Sequence, residues 1–211
     1  SAEAIGAIAK SFPIYFVIIA VGVGIGAATN ACIGNLLGEK KFNKASLFIA
    51  QSVIFALVTS IIVTLFGFNA SEFLLSVMGS DPAGIALTRE YLDIIFLGTF
   101  IVMIQISLNG ALNAQGDTKS YRNVLIFSFF LNIFLNPLFI WGYGIVPAFG
   151  IAGLAIATVI SQSIGTIYLT YKIYSCQLKK YLSIRCFIPK FNLLKELFTQ
   201  ALPIMFSMLF I

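Results

Sequence analysis

Three polar residues recur at every fourth position in one strongly apolar stretch of the chain. Ser128, Asn132 and Asn136 therefore lie on one face of a helix, and Pro137 follows directly. Because proline has no N–H, the carbonyl of Ile133 loses its helical donor. Two amide oxygens and a freed carbonyl at one level could hold a cation or the polar part of a substrate.

A second polar face follows on the next apolar segment, formed by Thr158, Ser161, Gln162 and Gly165. We expect the two faces to lie against each other or to line a cavity, with Ser128, Ser161 and Gln162 as further lining residues. The alternative is that these side chains only bond one another across a helix interface. Such bonds average about 0.6 kcal/mol in membrane proteins, so packing alone rewards them weakly.

The composition of the chain indicates the environment of these two polar faces. Of the 211 residues, 59% are hydrophobic and only 10% are charged, and the mean hydropathy is +0.99. These values are far from those of soluble domains. Alternating barrel segments are not visible in the sequence, so helices are the remaining way to span a bilayer. The sequence predicts an all-α integral membrane protein, a polytopic helix bundle.

Charged residues divide the apolar sequence into five complete spans and the start of a sixth. The spans cover about residues 11–38, 45–71, 90–116, 122–143 and 150–172, and the last segment is 192–211. Between the second and third spans we expect a long external loop, from Asn69 to Ala86, with a short amphipathic helix on the membrane surface. The chain starts without Met and ends inside a helix, so we expect a piece of a longer protein.

Basic residues predict the orientation, because short loops rich in Lys and Arg stay in the cytoplasm. They follow the first, third and fifth spans: Lys40, Lys41, Lys44, Lys119, Arg122, Lys172, Lys179, Lys180, Arg185, Lys190 and Lys195. Ser1 and the turn around Pro147 should then lie outside the cell. This rule accounts for the net charge of +5, so nucleic acid is not an expected partner.

Enzymatic chemistry has little support in the sequence. There is no His, no Asp-rich motif in a span, and no Ser or Cys beside an evident base. We therefore expect a protein that is not an enzyme, has no catalytic residues and needs no cofactor.

Two further features of the first spans have an interpretation. Gly22 and Gly26 form a small-xxx-small pair that lets another helix approach closely. Gln51, in the second span, is harder to place, because its carboxamide must bond a neighbouring helix or lie near the cytoplasmic interface.

Several motifs together resemble the multidrug and toxic compound extrusion family, MATE. They are GNLLGEKKFNKA at 34–45, GALNAQGDTK at 110–119, NIFLNPLFI at 132–140 and GIAGLAIATVISQ at 150–162. The resemblance covers essentially the whole chain. It implies that residues 1–191 are helices two to six of an amino-terminal lobe, and that 192–211 begin the carboxy-terminal lobe.

The resemblance also implies an activity and a site. Members of this family export drugs or other organic, often cationic, compounds by alternating access, as antiporters coupled to Na⁺ or H⁺ in the cell (inner or plasma) membrane. The family's cation site, an Asn and an Asp on helix five and a Thr on helix six, matches Asn132, Asn136 and Thr158. Asn136 replaces the carboxylate, which argues against proton carriage through this position and leaves Na⁺ coordination by the neutral oxygens of Asn132 and Asn136 open. The implied partners are the lipid bilayer, a small organic substrate and the second lobe.

Two other functions are compatible with this architecture. A lipid-linked saccharide flippase of the same superfamily would be favoured by Arg or Lys in the cleft, and no basic residue lies in the interior of these spans. A channel or structural membrane protein that is not coupled to an ion gradient would also show polar faces.

Overall fold

The computed structural model describes residues 2–144 and 146–210, without the side chains of residues 2–5 and 209. The described residues form six α-helices: α1 Ala2–Gly38, α2 Phe42–Val77, α3 Pro82–Ala114, α4 Lys119–Trp141, α5 Ile151–Ser175 and α6 Phe191–Leu209. Residues 176–190, here called the connector, contain two short 3₁₀ helices, Gln177–Tyr181 and Ile184–Phe187. Ser1, whose external placement the basic loops predict, lies outside the described residues, as do Ile145 and Ile211.

The predicted all-α membrane architecture is confirmed. The helices α1 to α5 are each long and apolar enough to cross a membrane. In the described part of the chain the backbone outside helices is confined to short turns, the α4–α5 hairpin and the connector. This arrangement satisfies backbone hydrogen bonds locally, as a bilayer requires.

The expected long loop from Asn69 to Ala86 is wrong. Helix α2 continues to Val77, and Asp81 caps α3 by accepting a hydrogen bond from the N–H of Gly84 at 3.1 Å. The connection therefore comprises only residues 78–81. The polar residues between Asn69 and Ala86 are the reason that the sequence predicts a loop. In the structure Asn69 donates to the carbonyl of Leu65 within its own helix at 2.7 Å. No proline interrupts the segment before Pro82, which occupies the first helical position that suits it.

Helix α3 lies at the centre of the bundle and touches α1 through glycines. A Cβ atom on Gly22 or Gly26 would collide with Ile106 of α3, and one on Gly110 would meet the backbone carbonyl of Gly26. The sequence prediction that Gly22 and Gly26 admit a neighbouring helix is confirmed. The two backbones approach closely because neither glycine carries a side chain.

The other faces of α3 pack in the same manner. Gly67 of α2 lies against the ring of Phe96, and Gly98 of α3 lies against Val159 of α5. Helix α6 covers a different side of α1, where Gly24 meets Met205. The bundle is thus held by small residues opposite large ones on four helix pairs.

The three basic loops gather at one end of the bundle. A cavity of about 490 Å³ there is lined by residues from the ends of α1, α3 and α5, the start of α2, the α3–α4 turn and the connector, among them Leu37, Gln115, Asp117, Lys172 and Leu178. At the opposite end Gly6, Lys10, Asp81 and Thr88 surround another cavity. The charge asymmetry of the sequence is therefore an asymmetry between the two ends of the folded bundle.

Asp117 connects α3 to α4 at the basic end. Its carboxylate accepts hydrogen bonds from the N–H and the hydroxyl of Ser120, at 3.0 and 2.6 Å. The Ser120 hydroxyl is the largest cause that lowers the pKa of this carboxyl, and Lys172 adds to the effect. Asp117 thus caps the first turn of α4, where a negative charge also complements the helix dipole.

A Gly110→Ala substitution should destabilise the bundle by about 1–3 kcal/mol, because the new methyl group would meet the immobile Gly26 carbonyl. The midpoint of thermal denaturation of the purified full-length protein measures this. Gly34→Ala is the matched control, since no atom lies within 4 Å of its added Cβ. Equal midpoints for the two variants would contradict the close α1–α3 contact.

An Asp117→Ala substitution should cost about 1 kcal/mol at neutral pH through loss of the helix cap. Since folding lowers the carboxyl pKa, this contribution is present above its ordinary pKa and disappears as pH falls through the lowered value. The denaturation midpoints of wild type and variant should therefore converge as the pH falls below the ordinary range of an aspartate carboxyl. A gap that persists in acid would show that Asp117 acts without its charge.

Candidate functional site

The polar face predicted on α4 is present. Ser128 is buried, and Asn132 and Asn136 are half-buried one and two turns further along the helix. Asn132 donates through Nδ2 to the carbonyl of Ser128 at 2.9 Å, which holds its side chain against the helix. Pro137 continues the helix directly after Asn136 and is exposed.

On α5 the hydroxyl groups bond within their own helix. Thr158 donates to the carbonyl of Leu154 and Ser161 to that of Ala157, both at 2.9 Å. Ser161 is fully buried and Thr158 half-buried. Their hydrogens are used locally, so these hydroxyl oxygens can offer only lone pairs to a ligand.

Helices α4 and α5 pack antiparallel, and two glycines of α5 define the register. Gly153 lies against the backbone of Phe139, and Gly165 lies against Val124. Interpolation between these two contacts, at about 1.5 Å of rise per residue, places Thr158 at the level of Asn132. Ser128 and Gln162 share a level about one turn nearer the basic end. The structure thus brings the two polar faces to the same helix pair and the same depth.

Several of these side chains carry buried atoms without a hydrogen-bond partner among the described residues. They are Oγ of Ser128, Oδ1 of Asn132, Oδ1 of Asn136 and Oε1 of Gln162. An acceptor left in this way costs about 1–3 kcal/mol. The interpretation that these residues only bond one another across the interface therefore does not account for the Asn132 and Asn136 oxygens, which accept no such bond in the described structure.

Two residues of α3 extend this set, and the sequence reasoning missed them as site residues. Gln105 is buried, and its Nε2 lies beside Gly165 of α5 without a hydrogen-bond partner in the described part of the chain. Asn109, one turn further along α3, likewise has a buried Oδ1 that no described residue bonds. Their spacing of four was a usable signal, since it places both amides on one helix face.

The chemistry of the site is that of neutral oxygen donors. Helices α4 and α5 contain no acidic residue. Among the described residues, no group of three His, Cys, Asp or Glu side chains is close enough to hold a metal ion. Amide and hydroxyl oxygens remain, and these suit a hard cation rather than a transition metal.

A cavity of about 310 Å³ lies between α4 and α5 near Gly165. Its lining consists of Asn123, Val124, Phe127, Ile164, Gly165 and Tyr168. Asn132, Asn136 and Thr158 do not line it, so this cavity is nearer the basic end than the predicted cation residues.

Comparison with known proteins identifies relatives for this architecture. The family model MatE matches residues 1–138. The chain is 28% identical over 159 residues to the FAD transporter of Shewanella oneidensis, covering 75% of this chain and 35% of that protein. It is 25% identical over 201 residues to the multidrug export protein MepA of Staphylococcus aureus, covering 94% of this chain and 43% of that protein.

Solved structures show the same similarity in three dimensions. An inward-facing multidrug resistance MATE family transporter matches with a TM-score of 0.86 at 27% identity, covering 98% of this chain and 46% of that one. An outward-facing structure matches with a TM-score of 0.85, also at 27% identity, covering 99% of this chain and 46% of that one. The chain spans less than half the length of these relatives and solved structures. The matched family model covers most of the sequence, and the helices superpose on solved members, so this chain belongs to the MatE family of multi-pass membrane proteins.

Proposed function

We propose that this chain supplies the cation-binding part of an exporter that moves organic compounds across the membrane by alternating access, in exchange for a cation. The observation that carries this proposal is the pair of buried, unpartnered amide oxygens of Asn132 and Asn136 in the described structure, at the depth of Thr158. A transported ion that binds there would satisfy oxygens that the protein leaves without partners. Membership of the MatE family supports the transport function.

The donor set favours Na⁺ over H⁺ at this position. Proton carriage requires a group that titrates, and α4 and α5 contain no acidic residue and no His. Neutral oxygens can surround a sodium ion without any change in protonation. Asn136 stands where the resemblance implies an Asp, and its neutral carboxamide supports Na⁺ at this position.

Export requires that the cation and the substrate stabilise different conformations. The chain superposes about equally well on inward-facing and outward-facing structures. This similarity supports a unit that keeps its internal packing while it moves relative to a second lobe. The glycine contacts of α3 with α1 and α5 would supply that rigidity.

The relatives suggest the class of substrate and the membrane. Their names describe export of multiple drugs in one case and transport of FAD in another, and both are organic compounds. These relatives are bacterial, which supports a location in the plasma membrane. With the basic end in the cytoplasm, Ser1 and the turn around Pro147 would be external.

A lipid-linked saccharide flippase is less well supported. Its anionic substrate would call for basic residues near the polar face. The basic residues of α4 and α5 are Lys119, Arg122 and Lys172, all near the ends of these helices at the basic end. They are therefore remote along the helix from Asn136.

The substitutions Asn132→Ala and Asn136→Ala together should abolish Na⁺-dependent export by the full-length protein. The measurement is extrusion of a cationic dye from proteoliposomes under an imposed Na⁺ gradient or an imposed pH gradient. We expect the wild type to respond to Na⁺ and the double variant to lose that response. Asn69→Ala is the matched control, because that exposed amide bonds only its own helix.

Unchanged Na⁺-dependent export in the double variant would refute the site assignment. Transport that follows the dye gradient alone, with no response to either cation gradient, would refute coupling and indicate a channel. A response only to the pH gradient would show that the proton-carrying group lies elsewhere in the full-length protein.

An Asn136→Leu substitution should raise the stability of the full-length protein in Na⁺-free buffer by about 1–3 kcal/mol, because a similarly sized side chain removes an unpaired buried oxygen. Na⁺ at about 100 Kd should stabilise the wild type by about 2.7 kcal/mol and the variant much less. Thermal denaturation midpoints with and without Na⁺ test both statements. Ser163→Ala is the control, since its hydroxyl bonds the carbonyl of Val159 in its own helix. A variant that is less stable than wild type without Na⁺ would mean that the oxygen has a structural partner.

A further inference from the structure

Gln51 makes a set of hydrogen bonds unlike that of any other polar residue described in α2. Its side chain is completely buried. Nε2 donates to the carbonyl of Cys186 at 2.7 Å and to that of Ile188 at 2.8 Å. Oε1 accepts from the N–H of Lys190 at 2.8 Å. One carboxamide thus uses both of its hydrogens and its oxygen on the connector.

These bonds cross a large part of the sequence. The partners are separated from Gln51 by 135 to 139 residues. By contrast, the Ser52 and Ser60 hydroxyls of α2 donate to carbonyls of their own helix. Gln51 therefore bonds no neighbouring α-helix in the described structure. It binds the backbone of the connector, which contains no α-helix.

A second set of contacts joins the first half of the connector to α2. The hydroxyl of Ser46 donates to the carbonyl of Tyr181 at 3.0 Å, and the ring of Tyr181 stacks on Phe42. Leu178, at the start of the connector, is buried. The connector is thus attached to α2 near its beginning and near its end.

The Gln51 bonds lie at the point where the connector meets α6. Lys190, whose N–H binds Oε1, is the residue directly before α6. Helix α6 begins the segment that resembles the second lobe. The carboxamide of Gln51 therefore binds the connector directly before α6 begins.

We propose that Gln51 is a positioning residue that anchors the connector between the two lobes to α2, and that this anchor persists while the lobes move. The connector then moves with α1 to α5 as one body, and the chain enters the second lobe from a fixed point beside α2. The consequence for export rests on the function proposed above, whereas the anchor itself does not.

Hydrogen exchange tests the anchor without any transport measurement. In the full-length protein in bilayer discs, Gln51→Met keeps the length of the side chain but removes both donors and the acceptor. Amide exchange in the peptide that covers residues 184–191 should become at least about tenfold faster. Asn69→Met, which removes an amide of α2 that bonds only its own helix, should leave that peptide unchanged. Unchanged exchange in Gln51→Met would overturn the proposal.

A cross-link tests whether the anchor persists, and its export measurement is made on a protein that keeps Gln51. Leu47 and Asn192 line one cavity of about 390 Å³ beside α2. With Cys32, Cys176 and Cys186 replaced by Ala, Leu47→Cys and Asn192→Cys can be joined by a short bifunctional thiol reagent. The cross-linked protein should export at the rate of the same double-cysteine protein before cross-linking, and in the Gln51→Met background cross-linking should restore slow exchange.

Loss of export on cross-linking an otherwise active protein would overturn the persistent anchor. A wild-type protein that shows no export would count against the proposed function alone, because the exchange experiment still decides whether Gln51 holds the connector. The two failures are therefore distinguishable.

Discussion

The close backbone contact between α1 and α3 is the constraint on which the bundle depends. Gly26 and Gly110 meet there without side chains between them, and Ile106 fills the space beside Gly22. A bilayer gives little hydrophobic reward for bringing helices together, so close packing must supply the attraction. Because α3 also touches α2 and α5, an error at this crossing would displace three neighbouring helices.

Polar side chains within the bundle fall into three groups according to their hydrogen-bond partners. Many Ser and Thr hydroxyls, such as those of Thr29 and Thr99, donate to carbonyls of their own helix and need no other partner. Gln51 is fully satisfied by a distant segment. The amides of Asn132 and Asn136 keep an unpaired buried oxygen in the described structure. An unpaired buried oxygen carries an energetic cost that a ligand could remove, whereas a fully bonded polar group does not.

The polar row along α4 and α5 is coupled to the rest of the bundle through Gly165. This glycine lets Gln105 of α3 and Val124 of α4 approach α5 at one level. Helix α3 in turn contacts α1 where Gly26 and Gly110 meet. The α4–α5 pair is therefore connected to α1 through packed groups in direct contact.

The sequence by itself determined the class of fold, five spanning helices, the polar faces of α4 and α5, and the family resemblance. These features follow from local information, since apolar run length and a spacing of four residues set helix extent and helix face directly. Local composition misled once, because polar residues from Asn69 onward suggested a loop where α2 continues to Val77.

Only the tertiary structure decided which buried polar groups have partners. The bonds of Gln51 reach residues more than a hundred positions away, and Gln105 meets Gly165 on another helix. Neither relation leaves a periodic signal in the sequence. The type of a residue determines how many hydrogen-bond donors and acceptors its side chain has. The packing of distant segments determines whether each donor or acceptor finds a partner.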